Sequence, residues 1–174
     1  MPRMYAIAAV TIDGKIARHE NHPTTWTSPE DNVFMRALLD QSAVIVVGRR
    51  TYDTAKEPLS KRNCIVLTRS VPAIERRDDR LTFINTGGTS LRKLLQEYAT
   101  VAVLGGTQIY TYCLEHDLLD DIYLTIEPLV FGAGLPLFAA ATTANIRFQL
   151  QDFKKLNADG TLVLHYARSK SNRD

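Results

Sequence analysis

Asp31 stands where helix capping and chemistry compete for one carboxylate. The segment Trp26-Thr27-Ser28-Pro29-Glu30-Asp31 opens a helical pattern, with Ser28 suited to the cap and Pro29 to the first helical position. Asp31 lies three residues past the cap, where a side-chain acid can satisfy a free backbone amide in a capping box. It also begins the series Asp31, Phe34, Met35 and Leu38, with apolar side chains at i+3, i+4 and i+7. That spacing turns the carboxylate inward. A buried acid needs a partner or a task, because desolvating an unpaired charge is costly. Cap and working acid are both open readings here, and Glu30 is expected to face solvent.

Two loop ends carry cations. Gly48-Arg49-Arg50-Thr51 follows one apolar run, with a potential helix start at Thr51, and Thr68-Arg69-Ser70 follows Leu67 at the end of another. Guanidinium forks and helix N-termini both suit phosphate, so these arginines fit a phosphate monoester such as that on the ribose of a dinucleotide. A solvated basic surface is the plainer alternative. Gly105-Gly106-Thr107 follows the run ending at Leu104, and paired glycines at a strand-to-helix turn allow a close backbone approach to a ligand. The pair is not a GxGxxG fingerprint, and a tight turn would explain it equally. Histidines 19, 22, 116 and 165 show no metal-ligand spacing beyond the His19/His22 pair, and no GxSxG or Cys/His arrangement offers a nucleophile.

These residues need elements to hold them. Tyr5–Val10, Ala43–Val47, Cys64–Leu67 and Val101–Leu104 are short apolar runs, as expected of strands buried on both faces of a parallel sheet. Helical spacing covers Pro29–Gln41, with apolar Val33, Phe34, Ala37 and Leu38, and also Thr89–Tyr98 and Thr107–Leu119. Alternating strands and helices predict an α/β sheet with right-handed crossovers and helices on both faces. Ile122–Ile126, Ile146–Phe153 and Thr161–Tyr166 read as strands, and Asn157-Ala158-Asp159-Gly160 supplies a turn between the last two. Ligands of such sheets bind beyond the carboxyl ends of the strands, which singles out the loops after Val10, Val47, Leu67 and Leu104.

The 174 residues suit one domain spanning 1–174. A formal charge of +2 is too small to argue for nucleic acid, and no basic face interleaved with aromatics appears. Cys64 and Cys113 both sit in apolar or helical stretches and are expected to be reduced core residues. The N-terminus has no signal core, and no apolar stretch approaches the roughly 18 residues of a membrane helix. The expectation is a soluble, cytoplasmic protein.

The ordered set of motifs resembles dihydrofolate reductase. It comprises Ala8-Ala9-Val10, Trp26 with Pro29 and Asp31, Gly48-Arg49-Arg50-Thr51-Tyr52, Pro58-Leu59, Arg62, Ile65-Val66-Leu67-Thr68, Leu104-Gly105-Gly106 with Tyr110, and Tyr123-Leu124-Thr125. The resemblance runs from about residue 4 to residue 126 and continues weakly beyond. It implies a mostly parallel sheet of about eight strands, a C-terminal antiparallel hairpin and about four flanking helices. It also implies a monomer that reduces dihydrofolate with NADPH. Asp31 would hold the pterin's amidine edge and promote protonation of N5, with Thr125 completing the network and Trp26 fixing a water. Ile7, Ala9, Asn32, Met35, Leu104 and Tyr110 would form the pterin pocket, and Arg62 would pair with the substrate's tail carboxylate. Gly48, Arg49, Arg50, Thr51, Leu67, Thr68 and Arg69 would hold the adenosine end of NADPH. Ala9, Ile16, Gly105, Gly106, Thr107, Gln108 and Ile109 would line its nicotinamide and pyrophosphate.

Three features depart from that pattern. Asn32 and Met35 replace the large apolar residues that usually flank the acid. The loop Thr11–Ala17 and the segment Val130–Phe138 are closer to the pyrimidine reductases of riboflavin synthesis. Those enzymes share the fold and cofactor, and reduction of a ribosylamino-uracil phosphate is the alternative activity. A non-catalytic nucleotide binder is a third reading, against which the inward acid and Thr125 argue.

Overall fold

Alternate residues of the central strands pack into two separate cores. In the computed structural model, which describes residues 1–139 and 145–169, Val44 and Val46 point to one face and Ile45 and Val47 to the other. All four are essentially inaccessible to solvent, and burying each side chain contributes about 1.5–3 kcal/mol. Continuous apolar runs thus became doubly covered strands rather than helix segments.

The elements follow in order. β1 (Arg3–Thr11) and β2 (Lys15–Ala17) lead to α1 (Pro29–Asp40), and β3 (Val44–Gly48) runs directly into α2 (Arg49–Thr54) and α3 (Lys56–Leu59). β4 (Cys64–Leu67), β5 (Ile74–Arg76) and β6 (Leu81–Ile84) come next, then α4 (Leu91–Leu94), which tightens into a 3-10 turn over Leu95–Glu97. β7 (Thr100–Val103) and α5 (Thr107–Glu115) precede β8 (Asp121–Glu127), β9 (Leu135–Pro136), β10 (Phe148–Lys155) and β11 (Leu162–Arg168).

Among the described residues the main sheet has nine strands, ordered β10-β11-β8-β1-β7-β3-β4-β6-β5, against the eight or so that the resemblance implies. The six strands from β8 to β6 are mutually parallel, whereas β5, β11 and β10 run antiparallel to their neighbours. β2 and β9 form a separate antiparallel ribbon. Residues of α1, α2 and α3 join the core on one face, and those of α4 and α5 the core on the other. The sequence-based reading misses α3, β5, β6 and the β2–β9 ribbon, and it marks α2 only by a helix start at Thr51, two residues inside the observed one. These pieces are short, and neighbouring elements hold them rather than their own pattern.

Several predicted boundaries move. The helix predicted over Thr89–Tyr98 starts only after Ser90, whose hydroxyl accepts the Lys93 amide at 3.4 Å. That predicted over Thr107–Leu119 stops at Glu115, with Asp117 in the left-handed region at φ 55. On α1, Val33 is 66% exposed and Ala37 faces outward too, so the buried stripe is Asp31, Phe34, Met35, Leu38 and Leu39. Helical rotation places only one side of the apolar set against the sheet.

At the amino end of β8, Asp121 is 1% exposed and takes three charge-assisted contacts. Arg3 Nε donates to its Oδ2 at 2.7 Å and Arg3 Nη2 to its Oδ1 at 2.9 Å, while His165 Nε2 lies 2.8 Å from Oδ1. His165 stacks on Tyr123 with ring centres 4.3 Å apart. Burial alone would raise the Asp121 pKa, but Arg3 and His165 outweigh it and hold the carboxyl below its usual range. Asp121→Asn is expected to cost about 2 kcal/mol at neutral pH. The figure is modest because Arg3 is 62% exposed and solvent screens the pair. Since the folded-state pKa lies below the unfolded one, the stabilisation is complete above about pH 3.9 and is lost as pH falls through the folded value. Melting temperatures of parent and variant should therefore converge below about pH 4. Curves still parallel there would refute the pairing.

Candidate active site

Parallel pairing of β1 with β8 sets Ala9 beside Thr125 and Thr11 beside Glu127. Strand alternation puts Asp121, Tyr123, Thr125 and Glu127 on one face, the face that α1 covers. Asp31 meets them there and is 5% exposed. Burial pushes its carboxyl pKa up and the charge of Glu127 adds to the rise, while polar contacts with Thr125 and Thr27 oppose both. Among the described residues Asp31 forms no ion pair. It is an inward acid biased toward holding a proton.

The capping reading of Asp31 fails in an informative way. Ser28 does cap α1, its hydroxyl accepting the Asp31 amide at 3.2 Å. The reciprocal bond is absent from Asp31, because the Ser28 amide donates to Glu127 Oε1 at 2.6 Å. Glu127 is 3% exposed, and its Oε2 accepts from Thr161 Oγ1 at 2.7 Å. The sequence-based reading passes over this residue. The signal was available in the period-2 pattern of Asp-Ile-Tyr-Leu-Thr-Ile-Glu, which puts Glu127 on the face of Thr125.

Around the acid the expected pocket residues assemble unevenly. Ile7 is buried and Ala9 and Leu104 are half-buried, while the Tyr110 hydroxyl donates to Ile7 O at 2.5 Å. Met35 lies half-buried on α1. Asn32 is tied locally, its Nδ2 donating to Ser28 O at 3.0 Å and to Thr27 Oγ1 at 3.4 Å. Trp26 packs edge-on to Phe131 with centres 5.1 Å apart, and its buried Nε1–H has no hydrogen-bond partner among the described residues. Such a donor is normally satisfied by water or ligand. Phe131 is itself placed by Asp13, whose carboxylate accepts from Thr11 Oγ1 at 2.6 Å and from the Phe131 and Gly132 amides at 3.1 and 2.8 Å. The Thr11 hydroxyl and these amides hold the Asp13 carboxyl at about 2.

Arg62 lies apart from this group. Its Nη2 is 2.6 Å from Asp40 Oδ1, at the last residue of α1, in a cavity of about 320 Å³ also lined by Lys61 and Arg80. Asp31 and Asp40 are nine residues apart on one helix, about 14 Å at 1.5 Å per residue. A single ligand reaching both Asp31 and Arg62 must be long.

The glycine turn and the basic loops converge on the other side of the parallel sheet's carboxyl edge. The Gly48 amide donates to Gly105 O at 2.7 Å, closing the end of β3 on the end of β7. A Cβ on Gly106 would stand 3.7 Å from Thr51 Oγ1 and 4.0 Å from Ile16 Cδ1, so these three residues border one space. Gly106 caps α5 without a side-chain bond, and with the Ile109 amide already donating to Gly106 O at 2.9 Å, the Thr107 and Gln108 amides are the ones that can meet an anion. Thr107 Oγ1 donates to Pro136 O at 2.6 Å and anchors that helix end to β9. Gln108 is exposed and Ile109 half-buried, with its Cγ1 beneath Gly48. Arg49 lies over Phe83 at 4.9 Å and donates from Nε to Asp53 at 2.8 Å. Arg50 reaches Glu20 at 2.5 Å, and Arg69 is exposed. Thr68 Oγ1 lies 2.9 Å from Ser70 Oγ, whereas Leu67 is buried in the α5-side core and can meet a ligand chiefly through its backbone. The arrangement can cradle a pyrophosphate on α5 and a further phosphate among the arginines.

Among the described residues no group of three or more His, Cys, Asp or Glu could hold a metal, and no helix is long and apolar enough to cross a membrane. Cys64 and Cys113 are free and buried.

Residues 3–134 match the family model described as "Dihydrofolate reductase". A Bacillus subtilis relative, YwjB, is 27% identical over 171 residues, covering 92% of this chain and 95% of its own. Among solved structures, RibD of Acinetobacter baumannii superposes with a TM-score of 0.81 at 16% identity, over 98% of this chain and 59% of its own. Dihydrofolate reductase of Enterococcus faecalis, complexed with NADP(H), superposes with a TM-score of 0.70 at 19% identity, over 97% of each chain.

Proposed function

The chain belongs to the dihydrofolate reductase family, and on that premise we propose that it reduces 7,8-dihydrofolate to tetrahydrofolate with NADPH. The observation that carries this reading is the buried Asp31 carboxylate, unpaired by any cation among the described residues and bordered by Thr125. A carboxylate there can take two parallel N–H donors from the amidine edge of a pterin, a bidentate match that fixes the ring in the cleft. The 14 Å or so from Asp31 to the Arg62–Asp40 pair suits a substrate with an extended, carboxylate-bearing tail.

NADPH fits the residues present. Gly105, Gly106 and the amino end of α5 would take its pyrophosphate, Ile16 and Ala9 would flank the nicotinamide, and Arg49, Arg50, Thr51, Thr68 and Arg69 would hold the ribose phosphate. Bound there, NADPH would supply the hydride for pterin C6, and N5 would take a proton from water. Asp31 orients the ring and biases the site toward that proton, which reaches N5 through water. The Trp26 Nε1–H, without a partner among the described residues, can hold such a water in place.

One observation favours the second reading, reduction of a ribosylamino-uracil phosphate. Arg62 is already engaged by Asp40, so a tail carboxylate must compete for it. The absorbance of NADPH decides between them: it should decay on addition of dihydrofolate and stay constant with the ribosylamino-uracil phosphate. The reverse result would transfer the activity to the pyrimidine substrate.

A further inference from the structure

The amino end of α1 contains two buried acids where a capping box needs one. Ser28 is the cap, and Asp31 stands at the position whose side chain ordinarily returns to the cap's amide. Glu127 takes that amide instead, from a strand 99 positions distant in sequence. Its second oxygen is held by Thr161, whose hydroxyl in turn accepts from Asn157 Nδ2 at 3.0 Å. Asn157 Oδ1 accepts from the Gly160 and Thr161 amides, both at 3.1 Å, and so stiffens the turn between β10 and β11. Asn157 Nδ2 also reaches Glu30 Oε2 at 3.3 Å, a second tie from the same turn to α1. Glu127 thus joins α1, β8 and the closing hairpin at one point.

Resting on the reading of Asp31 given above, we propose that Glu127 is the positioning residue for that acid. It relieves Asp31 of the cap, leaves the Asp31 carboxylate free for the substrate and sets its protonation through the charge it places alongside. Both oxygens of Glu127 are committed to donors, and among the described residues neither acid has a cation partner. A second carboxylate placed beside it in a low-dielectric site disfavours the ionised form of Asp31. The groups facing Asp31 are Glu127 and Thr125 from β8, Thr27 from the segment before the helix and the neutral Tyr110 phenol from α5, with Glu30 turned outward to Asn157. The Asp31 pKa is raised by burial first and by Glu127 next.

Two variants separate position from charge. Glu127→Gln keeps the shape, and its amide oxygen can still accept the Ser28 amide, but the charge is gone. Glu127→Leu removes both. Asp31 is to be titrated by carboxyl-carbon NMR with aspartate-labelled protein, the Asp31→Asn variant giving the assignment and no substrate being present. In Glu127→Gln the midpoint should move to lower pH, and the pH at which kcat declines should move with it. In Glu127→Leu, kcat should fall about 10- to 100-fold, the scale for a misplaced reacting group. The Kd of NADPH should stay that of the parent in both. An Asp31 midpoint identical in Glu127→Gln and parent, with only the melting temperature lowered, would overturn the proposal and leave Glu127 a structural tie. The titration needs no turnover, so it reads out even if dihydrofolate is not the substrate. A moving midpoint together with full activity in Asp31→Asn would refute the function assigned to Asp31 and leave the coupling intact.

Discussion

Asp31→Asn should lower kcat for the reductase by about 10²- to 10⁴-fold, the range for removing a positioned acid. The substitution keeps the size of the side chain and its place on α1, so the pocket survives. It replaces an acceptor of two N–H donors by a group that can accept only one, and it deletes the proton bias of the site. The same change should make the protein more stable at neutral pH. A buried carboxylate whose folded-state pKa is raised favours the folded state fully only below its unfolded pKa, about 3.9. That contribution is lost as pH rises through the folded value, so an amide that never ionises is the better core residue at pH 7. Melting curves of parent and variant should therefore separate at neutral pH, the variant higher, and approach each other in acid. Retained turnover, or a less stable variant at pH 7, would contradict the role of Asp31 as an unpaired inward acid.

Gly105→Ala should be the most disruptive change at the cofactor edge. Gly105 has φ 83, and a Cβ there would lie 2.4 Å from Tyr110 Cε2 and 2.7 Å from Cζ. The ring cannot swing aside freely, because Tyr110 is 3% exposed and its hydroxyl is fixed to Ile7 O. Left-handed backbone on a non-glycine residue costs about 1–3 kcal/mol, and overpacking adds about 1–3 kcal/mol. A large drop in melting temperature is expected together with loss of NADPH binding. Gly106→Ala is the control. Its Cβ would meet neighbours only at 3.7 Å and beyond, so the melting temperature should hold while NADPH binds more weakly. If Gly106→Ala binds NADPH as the parent does, that turn is not where the pyrophosphate rests.

Much of the frame was legible because its signals are local. Four apolar runs became β1, β3, β4 and β7, since burial on both faces leaves no polar position to confuse the period. Ser28 and Pro29 placed the start of α1 to the residue. The short pieces were not legible. Leu81–Ile84 follows a charged stretch and is a strand because β4 supplies its hydrogen bonds, and α2 begins at Arg49 immediately after β3, two residues before the helix start marked at Thr51. At the site, the series Asp31, Phe34, Met35 and Leu38 correctly turned the acid inward, yet Val33 and Ala37 were drawn into the same stripe and face outward.

By itself the sequence determined which residues could do chemistry: one acid on an apolar stripe, a glycine pair at a strand end and arginines at two loop ends. Those properties are set by residue type and by spacing within a few positions. Tertiary structure alone decided what the acid is free to do. Whether Asp31 caps its own helix or faces the cleft depends on who takes the Ser28 amide, and the partner is Glu127 from β8, braced by Thr161 after β10. Arg62 was named by its place in the chain, but its pairing with Asp40 at the far end of α1 follows from how the helix lies over the sheet. Contacts between residues about a hundred positions apart arise from strand order and register, and no local pattern encodes them.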